Sequence, residues 1–273
     1  MKLINSSFEI IEQKPGLEGI YKQIELAGRT CYKSESNITE DSAKSFVDRM
    51  IKSGHGAMLE HGTVYLKIPI NIDEAVNFID DNFTWTKYHL AEEKTGNWWA
   101  ITTNYRRIIE CGLEHTLQYL CEPTEFHEKR VTVRFICDRG VSHEFVRHRV
   151  MSFAQESTRY CNYSKDKFGN EITFIYPCWL PDGDLSVEAE ECFKYALQKA
   201  EQSYFHLLQE GWLPQQARAV LPNSLKTELV MTGFVDDWKH FFFLRDAAPA
   251  HPQARELATP LHKEFINRGY ICE

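Results

Sequence analysis

The chain predicts an α+β fold. Two short stretches alternate apolar and polar residues with the period of a half-buried strand, Thr63 to Ile68 (TVYLKI) and Val131 to Ile136 (VTVRFI). A long amphipathic helical pattern runs over residues 186–210. Strand signals lie in the first two thirds and helices concentrate at the end, the distribution of that class.

Taken in order, residues 2–11 read as a strand. Thr39, followed by acidic or small residues and by Phe46, Val47, Met50 and Ile51, reads as the start of a capped helix that ends at Gly54. Between the two alternating strands lie about sixty residues with Trp85, Trp98, Trp99 and the stretch ITTNYRRIIE. A structureless loop of that length is rare, so helices are expected within it. Residues 141–149 read as helix and Ile172 to Tyr176 as strand, and the long helix stops before Gly211 and Pro214. The remainder, LPNSLKTELVMTGFVDDWKHFFFLR and HPQARELATPLHKEFINRG, reads as helices. No repeat or Pro/Gly/Ser-rich linker divides the chain, which predicts one domain over 1–273 with an elaboration at about 70–128.

With 273 residues and 43% hydrophobic content the chain can bury a substantial core. It has no apolar run approaching the roughly 18 residues of a membrane span and no signal-peptide pattern at MKLINSSFEIIEQ, so a cytoplasmic protein without a membrane partner is expected. The eight cysteines form no C-x-x-C pair, which predicts reduced, mostly buried thiols and no metal site. A net charge of −8 argues against nonspecific nucleic-acid binding, which needs a broad basic face. An anionic ligand would instead need a local patch. Residues 130–159 supply one, with six of the fourteen arginines and only Asp138, Glu144 and Glu156 as acids.

Inside that patch lies RHRVMSFAQESTRY, Arg147 to Tyr160. Successive helical residues are about 100° apart, so Arg147, His148 and Arg149 serve different partners or sit where the helix ends. Arginine suits phosphate and carbonyl-rich rings because its fork donates two parallel hydrogen bonds and stays charged. Ser157 and Arg159 add a hydroxyl and another fork within two residues. An isolated R-H-R is more commonly a solvated, salt-bridged helix end, so the weight comes from what surrounds it.

R-H-R, seven residues, then Ser-Thr-Arg-Tyr resembles the signature of the flavin-dependent thymidylate synthases. Three further segments are similar to that family in order: SGHGAMLEHGTVYLKI (53–68), QQARAVLPNSLKTEL (215–229) and LRDAAPAHPQARELA (244–258). The resemblance implies a mixed or antiparallel sheet flanked by helices, and methylation of dUMP to dTMP. Carbon would come from the folate 5,10-methylenetetrahydrofolate and hydride from NADPH or NADH through FAD. It also implies a homotetramer whose active sites are shared between subunits.

Carried over by position, the resemblance implies Arg147 between nucleotide and flavin, with His148 and Arg149 as flavin and folate-side contacts. Ser157, Thr158 and Arg159 resemble the segment that binds the dUMP phosphate, and Arg218 a second phosphate ligand. Arg255 resembles the arginine that holds the uracil ring and stabilises negative charge on it. Phe243, Arg245, His55, Ala57 and Glu60 lie where the family contacts FAD. Two positions depart from the pattern. Ala154-Gln155-Glu156 stands where many members read Asn-Glu-x; Gln155 can bond an imide, ribose or flavin but is no base, and either Gln155 or Glu156 could face the nucleotide. Glu144 stands where glutamine is common, and would accept from the nucleotide or pair with Arg147 or Arg149.

The implied chemistry needs no enzyme nucleophile. Arg255 and Gln155 would stabilise charge developing on the uracil carbonyls, while the cofactor performs the redox step. Ser157 lacks the adjacent base that a nucleophilic serine requires. Cys178, in PCWLP, reads as structural. His55 and His61 have no third ligand nearby, and the FFFLR aromatics are more often core than a cofactor box. Rival classes are a histidine phosphatase, which lacks its glycine after the histidine because Arg149 stands there, a nucleic-acid binder, and a non-catalytic nucleotide- or flavin-binding protein of the same fold.

Overall fold

The computed structural model describes residues 1–79, 85–93, 96–165, 169–180 and 187–272. In chain order it contains β1 (Lys2–Ile4), β2 (Ser7–Ile11), α1 (Gly16–Tyr32), α2 (Ser42–Lys52), α3 (Gly56–Leu59), β3 (Thr63–Pro69) and α4 (Val76–Ile79). There follow β4 (Lys87–Glu93), β5 (Gly96–Asn104), α5 (Tyr105–Glu110), β6 (Arg130–Asp138), α6 (Arg139–Phe145), β7 (Ser152–Gln155) and β8 (Thr173–Ile175). The chain closes with α7 (Val187–Gln209), α8 (Pro214–Ala217), β9 (Lys226–Phe234), α9 (Val235–Arg245) and α10 (Pro252–Asn267).

The centre is an antiparallel sheet in the order β2-β6-β9-β7. A second antiparallel sheet runs β3-β5-β4, and β1 pairs in parallel with β8. Helices flank the sheets, giving the α+β class with antiparallel and parallel pairing that the sequence predicts. Among the described residues no helix is long and apolar enough to cross a membrane.

Apolar burial explains the layering. Val131, Val133 and Phe135 of β6 and Leu229 and Met231 of β9 pack against Trp238 and Phe241 of α9 and Leu257, Leu261 and Phe265 of α10. Trp238 satisfies its indole by donating to the Val131 carbonyl at 3.1 Å. On the opposite face α1 crosses the sheet through small residues, Ala27 meeting Ala154 and Val230. The rest of α1, with α2, covers the second sheet through Ile20, Ile24, Phe46, Leu66, Ile68 and Ile101.

Several expectations are corrected. Of the eight cysteines, expected to be mostly buried, only Cys137 and Cys161 are, while Cys111, Cys192 and Cys272 are exposed. KTELVMTGF, read as helix, is β9 and pairs with β6 from Arg130↔Phe234 to Asp138↔Lys226. Eight of its nine residues are buried, so it carries no alternation to betray a strand. The 70–128 stretch holds helices as expected, the short α4 and α5 with 3-10 turns, but its main feature is the unexpected β4–β5 hairpin paired onto β3; residues 80–84, 94 and 95 within it lie outside the described residues. Residues 2–11 divide into β1 and β2, which join different sheets. The helix expected over 141–149 stops at Phe145, so Arg147–Arg149 lie beyond its end. Finally, α2 begins at Ser42, which accepts a hydrogen bond from the Thr39 N–H, rather than at Thr39 itself. The long helix runs as α7 from Val187; residue 186 lies outside the described residues.

Candidate functional site

The turn after β7 is built on its neighbours. The Glu156 N–H donates to the Glu228 carbonyl on β9 at 2.8 Å, and the Ser157 N–H to the Cys31 carbonyl at the end of α1 at 2.9 Å. The Ser157 carbonyl then receives the N–H groups of Tyr160 and Cys161, and its Oγ that of Arg159. Arg218, from the A-R-x-x-L-P element, donates through Nη1 to Thr158 Oγ1 at 2.8 Å. Two segments sixty residues apart that the sequence assigned to one phosphate are therefore adjacent.

Gln155 and Glu156 take opposite directions, as successive residues leaving a strand do. Glu156 is buried and its carboxylate accepts from Lys226 Nζ at 2.8 Å. Gln155 is half-buried, and its Nε2 donates to Ser142 Oγ at 2.8 Å and Thr227 Oγ1 at 3.2 Å. Ser142 spends its one hydrogen on the Arg139 carbonyl, so it accepts from the Gln155 amide nitrogen and leaves Gln155 Oε1 as the free acceptor.

His55 and Ala57, with Cys31, Tyr32, Gly54, Gly56, Met58 and Arg106, line an open pocket of about 420 Å³. The turn after β7 adjoins it: the Cys31 carbonyl accepts from the Ser157 N–H, and the Tyr32 and Tyr160 rings lie 5.4 Å apart. Glu60 does not line the pocket but steers it, accepting from Arg106 Nη1 at 2.7 Å while Arg106 Nε donates to Glu110 at 2.8 Å. A Cβ at Gly56 would lie 2.5 Å from Glu110 Oε1 and 3.0 Å from Arg106 Nε, so a larger residue there would displace the Arg106–Glu110 pair. A smaller, more enclosed pocket of about 130 Å³ lies elsewhere, between Gln13, Tyr65, Cys121 and Arg130, and is lined by none of the candidate catalytic or binding residues.

A third group sits at the other end of α6. Arg245 donates from Nη1 to Glu144 Oε2 at 2.6 Å, from Nη2 to the Glu144 carbonyl at 2.8 Å and from Nε to His148 Nε2 at 3.2 Å. Glu144 thus pairs with Arg245, not with Arg147 or Arg149. His148 is buried against His240 and Phe241, and burial first, then Arg245 and His240, push its pKa down to about 4. Since Arg245 can only donate, Nε2 accepts and the ring is neutral with its proton on Nδ1. Arg245→Met is therefore expected to raise the His148 pKa toward 6.5 in an NMR titration, and an unmoved pKa would show that burial alone sets it.

Arg147, Arg149, Arg159 and Arg255 are exposed and have no ion pair or side-chain hydrogen bond among the described residues, while Phe243 is 75% exposed at the end of α9. Arg255 lies in the first turn of α10 and has no hydrogen bond to the turn after β7 among the described residues. Sequence reasoning missed Lys226, Glu228, Lys33 and Arg106, whose roles come from pairing across elements; LKTEL alone carries no sign that its lysine reaches Glu156. Among the described residues no cluster of His, Cys, Asp and Glu could hold a metal ion.

Residues 100–268 match the family described as thymidylate synthase complementing protein. The flavin-dependent thymidylate synthase of Pyrococcus furiosus is 29% identical over 180 residues, 64% of this chain and 71% of that protein. The flavin-dependent thymidylate synthase of Sulfurisphaera tokodaii is 35% identical over 126 residues, 46% of each. Several of the curated relatives are matched over only about half their length. A solved structure of the UMP/dUMP methylase PolB from Streptomyces cacaoi, bound with 5-Br dUMP, is 18% identical with a TM-score of 0.46, covering 98% of this chain and 93% of that one.

Proposed function

The chain belongs to the thymidylate synthase complementing protein family, which its match over residues 100–268 spans for more than half its length, and on that premise we propose that it methylates dUMP to dTMP. In this reading 5,10-methylenetetrahydrofolate donates the carbon and NAD(P)H the reducing equivalents, with FAD as cofactor. The observation that carries the reading is the Arg218–Thr158 hydrogen bond, which joins two separately recognised phosphate segments; Ser157, next to Thr158, bonds to Cys31 of the His55–Ala57 pocket.

The pocket suits a flavin. Its volume lies within the usual range for ligand sites, glycine and alanine leave its floor open to a flat ring, and Arg106 offers a cation held in place by two carboxylates. FAD, when bound, supplies hydride relay and carbon transfer. The chain's own residues do the rest. Ser157, Thr158, Arg159 and Arg218 hold the phosphate dianion. Gln155, with its amide nitrogen committed, offers Oε1 to a donor on the nucleotide. Arg255 and Arg147 stabilise charge on the uracil carbonyls as C5 becomes nucleophilic. His148, neutral at physiological pH, adds a hydrogen-bonding ring without adding charge.

Arg147, Arg149, Phe243 and Arg255 project to the surface, which supports a homotetramer whose neighbouring subunits complete each site. The test is release of tritium from C5-labelled dUMP with NADPH and methylenetetrahydrofolate, alongside the visible spectrum of the purified protein. A yellow protein that releases label is expected. A colourless protein that also fails to bind added FAD would defeat the reading, and a flavin-loaded protein that binds dUMP without releasing label would make it a non-catalytic binder.

A further inference from the structure

A chain of alternating charges runs beneath the phosphate turn. Lys226 Nζ, at the start of β9, donates to Glu156 Oε2 at 2.8 Å and to Glu228 Oε1 at 2.6 Å. Glu228 also accepts from Lys33 Nζ at 2.8 Å, and Lys33 donates onward to Glu35 at 2.8 Å. Lys33 is the left-handed residue that ends α1, at φ 47°. Glu35, Lys33, Glu228, Lys226 and Glu156 thus tie together the end of α1, the start of β9 and the turn. Those same two elements receive the Glu156 and Ser157 N–H groups.

The Glu156 side chain is 2% exposed, and Lys226 is its one ion-pair partner among the described residues. A buried carboxylate deprived of its counter-charge is strongly unfavourable and swings out or drags its backbone. Swinging out would set a negative charge beside the place where a phosphate arrives. We propose that Lys226 is a positioning residue for nucleotide binding: by holding the Glu156 carboxylate inward it sets the backbone path from which Ser157, Thr158 and Arg159 meet the phosphate. Lys226 touches no substrate in this role. The inference rests on reading Ser157–Arg159 as the phosphate segment.

The experiment compares equilibrium affinities of flavin-loaded, full-length protein for dUMP and for deoxyuridine, which lacks the phosphate. In Lys226→Met, dUMP is expected to bind at least about tenfold more weakly while deoxyuridine stays within about twofold and flavin content is unchanged. Lys226→Arg restores most of the loss, and in label-release kinetics KM rises more than kcat falls. A merely structural lysine would weaken both ligands alike and shed flavin; that outcome, or unchanged dUMP affinity, overturns the proposal. Where Lys226→Met fails to fold, Lys33→Met breaks the chain at its outer end and is expected to lower dUMP affinity alone by about threefold; no phosphate-dependent change there overturns it equally. Wild-type protein that binds dUMP no better than deoxyuridine would instead overturn the phosphate reading beneath, and wild type that binds FAD but neither ligand would overturn the proposed function.

Discussion

Arg255→Ala and Arg147→Ala are each expected to cut label release from C5 of dUMP by about 10²–10³-fold, the usual cost of removing one preorganised donor to developing charge. The same substitutions should leave the unfolding free energy within about 0.5 kcal/mol of wild type, since both side chains are exposed and have no ion pair or side-chain hydrogen bond among the described residues. That separation is the informative part. Other arginines of the chain are held by carboxylates: Arg29 by Glu25, Arg106 by Glu60 and Glu110, Arg134 by Glu9, Arg245 by Glu144 and Arg268 by Glu12 and Glu264. A guanidinium left without a partner, at a position the sequence ties to the nucleotide, keeps its full donor capacity for a ligand. Steady-state label release and denaturant titration on the same preparations check both halves. Equal release from wild type and both variants would sink the assignment, and a large loss of stability would move these arginines into the fold.

What the sequence made legible follows from how each feature is encoded. Strands such as β3 and β6 alternate apolar and polar residue types, and helices such as α2 and α7 show one apolar face, so local pattern suffices. β9 is buried on both faces, between α1 on one side and α9 and α10 on the other, so its apolar run resembles a helix segment and only pairing with β6 decides it. The β4–β5 hairpin is hidden for a related reason: β5 is buried at Trp98 and from Ala100 to Asn104, so it carries no alternation. At the site, Thr158 and Arg218 were legible because each sits in a motif with fixed spacing. Glu144, expected to accept from the nucleotide or to pair with Arg147 or Arg149, instead meets Arg245, a hundred residues away, because α6 ends at Phe145 and turns Arg147 and Arg149 outward. Lys226 and Lys33 were invisible for the same reason: an ion pair between distant elements has no local signature.

Stability is expected to fall as pH drops from about 6.5 toward 3, driven by two buried histidines. His61 is fully buried, with Nδ1 2.8 Å from Thr232 Oγ1, which is itself bonded to Thr132. Burial first, and the nearby Arg130 second, push its pKa from 6.5 to about 3. His148 is lowered to about 4. In both cases the folded pKa lies below that of the unfolded chain, so between the two values the unfolded state binds more protons. The stabilising contribution is therefore complete above 6.5 and is lost as pH falls through the window. At about 1.4 kcal/mol per pH unit for each histidine, the two together forgo roughly 6 kcal/mol by pH 4, comparable with a typical net stability of 5–15 kcal/mol. Glu228 extends the loss lower still: burial alone would raise its carboxyl, but Lys226 and Lys33 hold it down to about 2, so its contribution fades between 4.5 and 2. Denaturant titrations at pH 7 and pH 4.5 read the effect directly. His61→Gln keeps a hydrogen-bonding side chain that cannot titrate, and is expected to flatten the pH slope even if it lowers stability at neutral pH. A flat profile in the wild type, or the same slope in His61→Gln and His148→Gln as in the wild type, would remove the histidines as its cause.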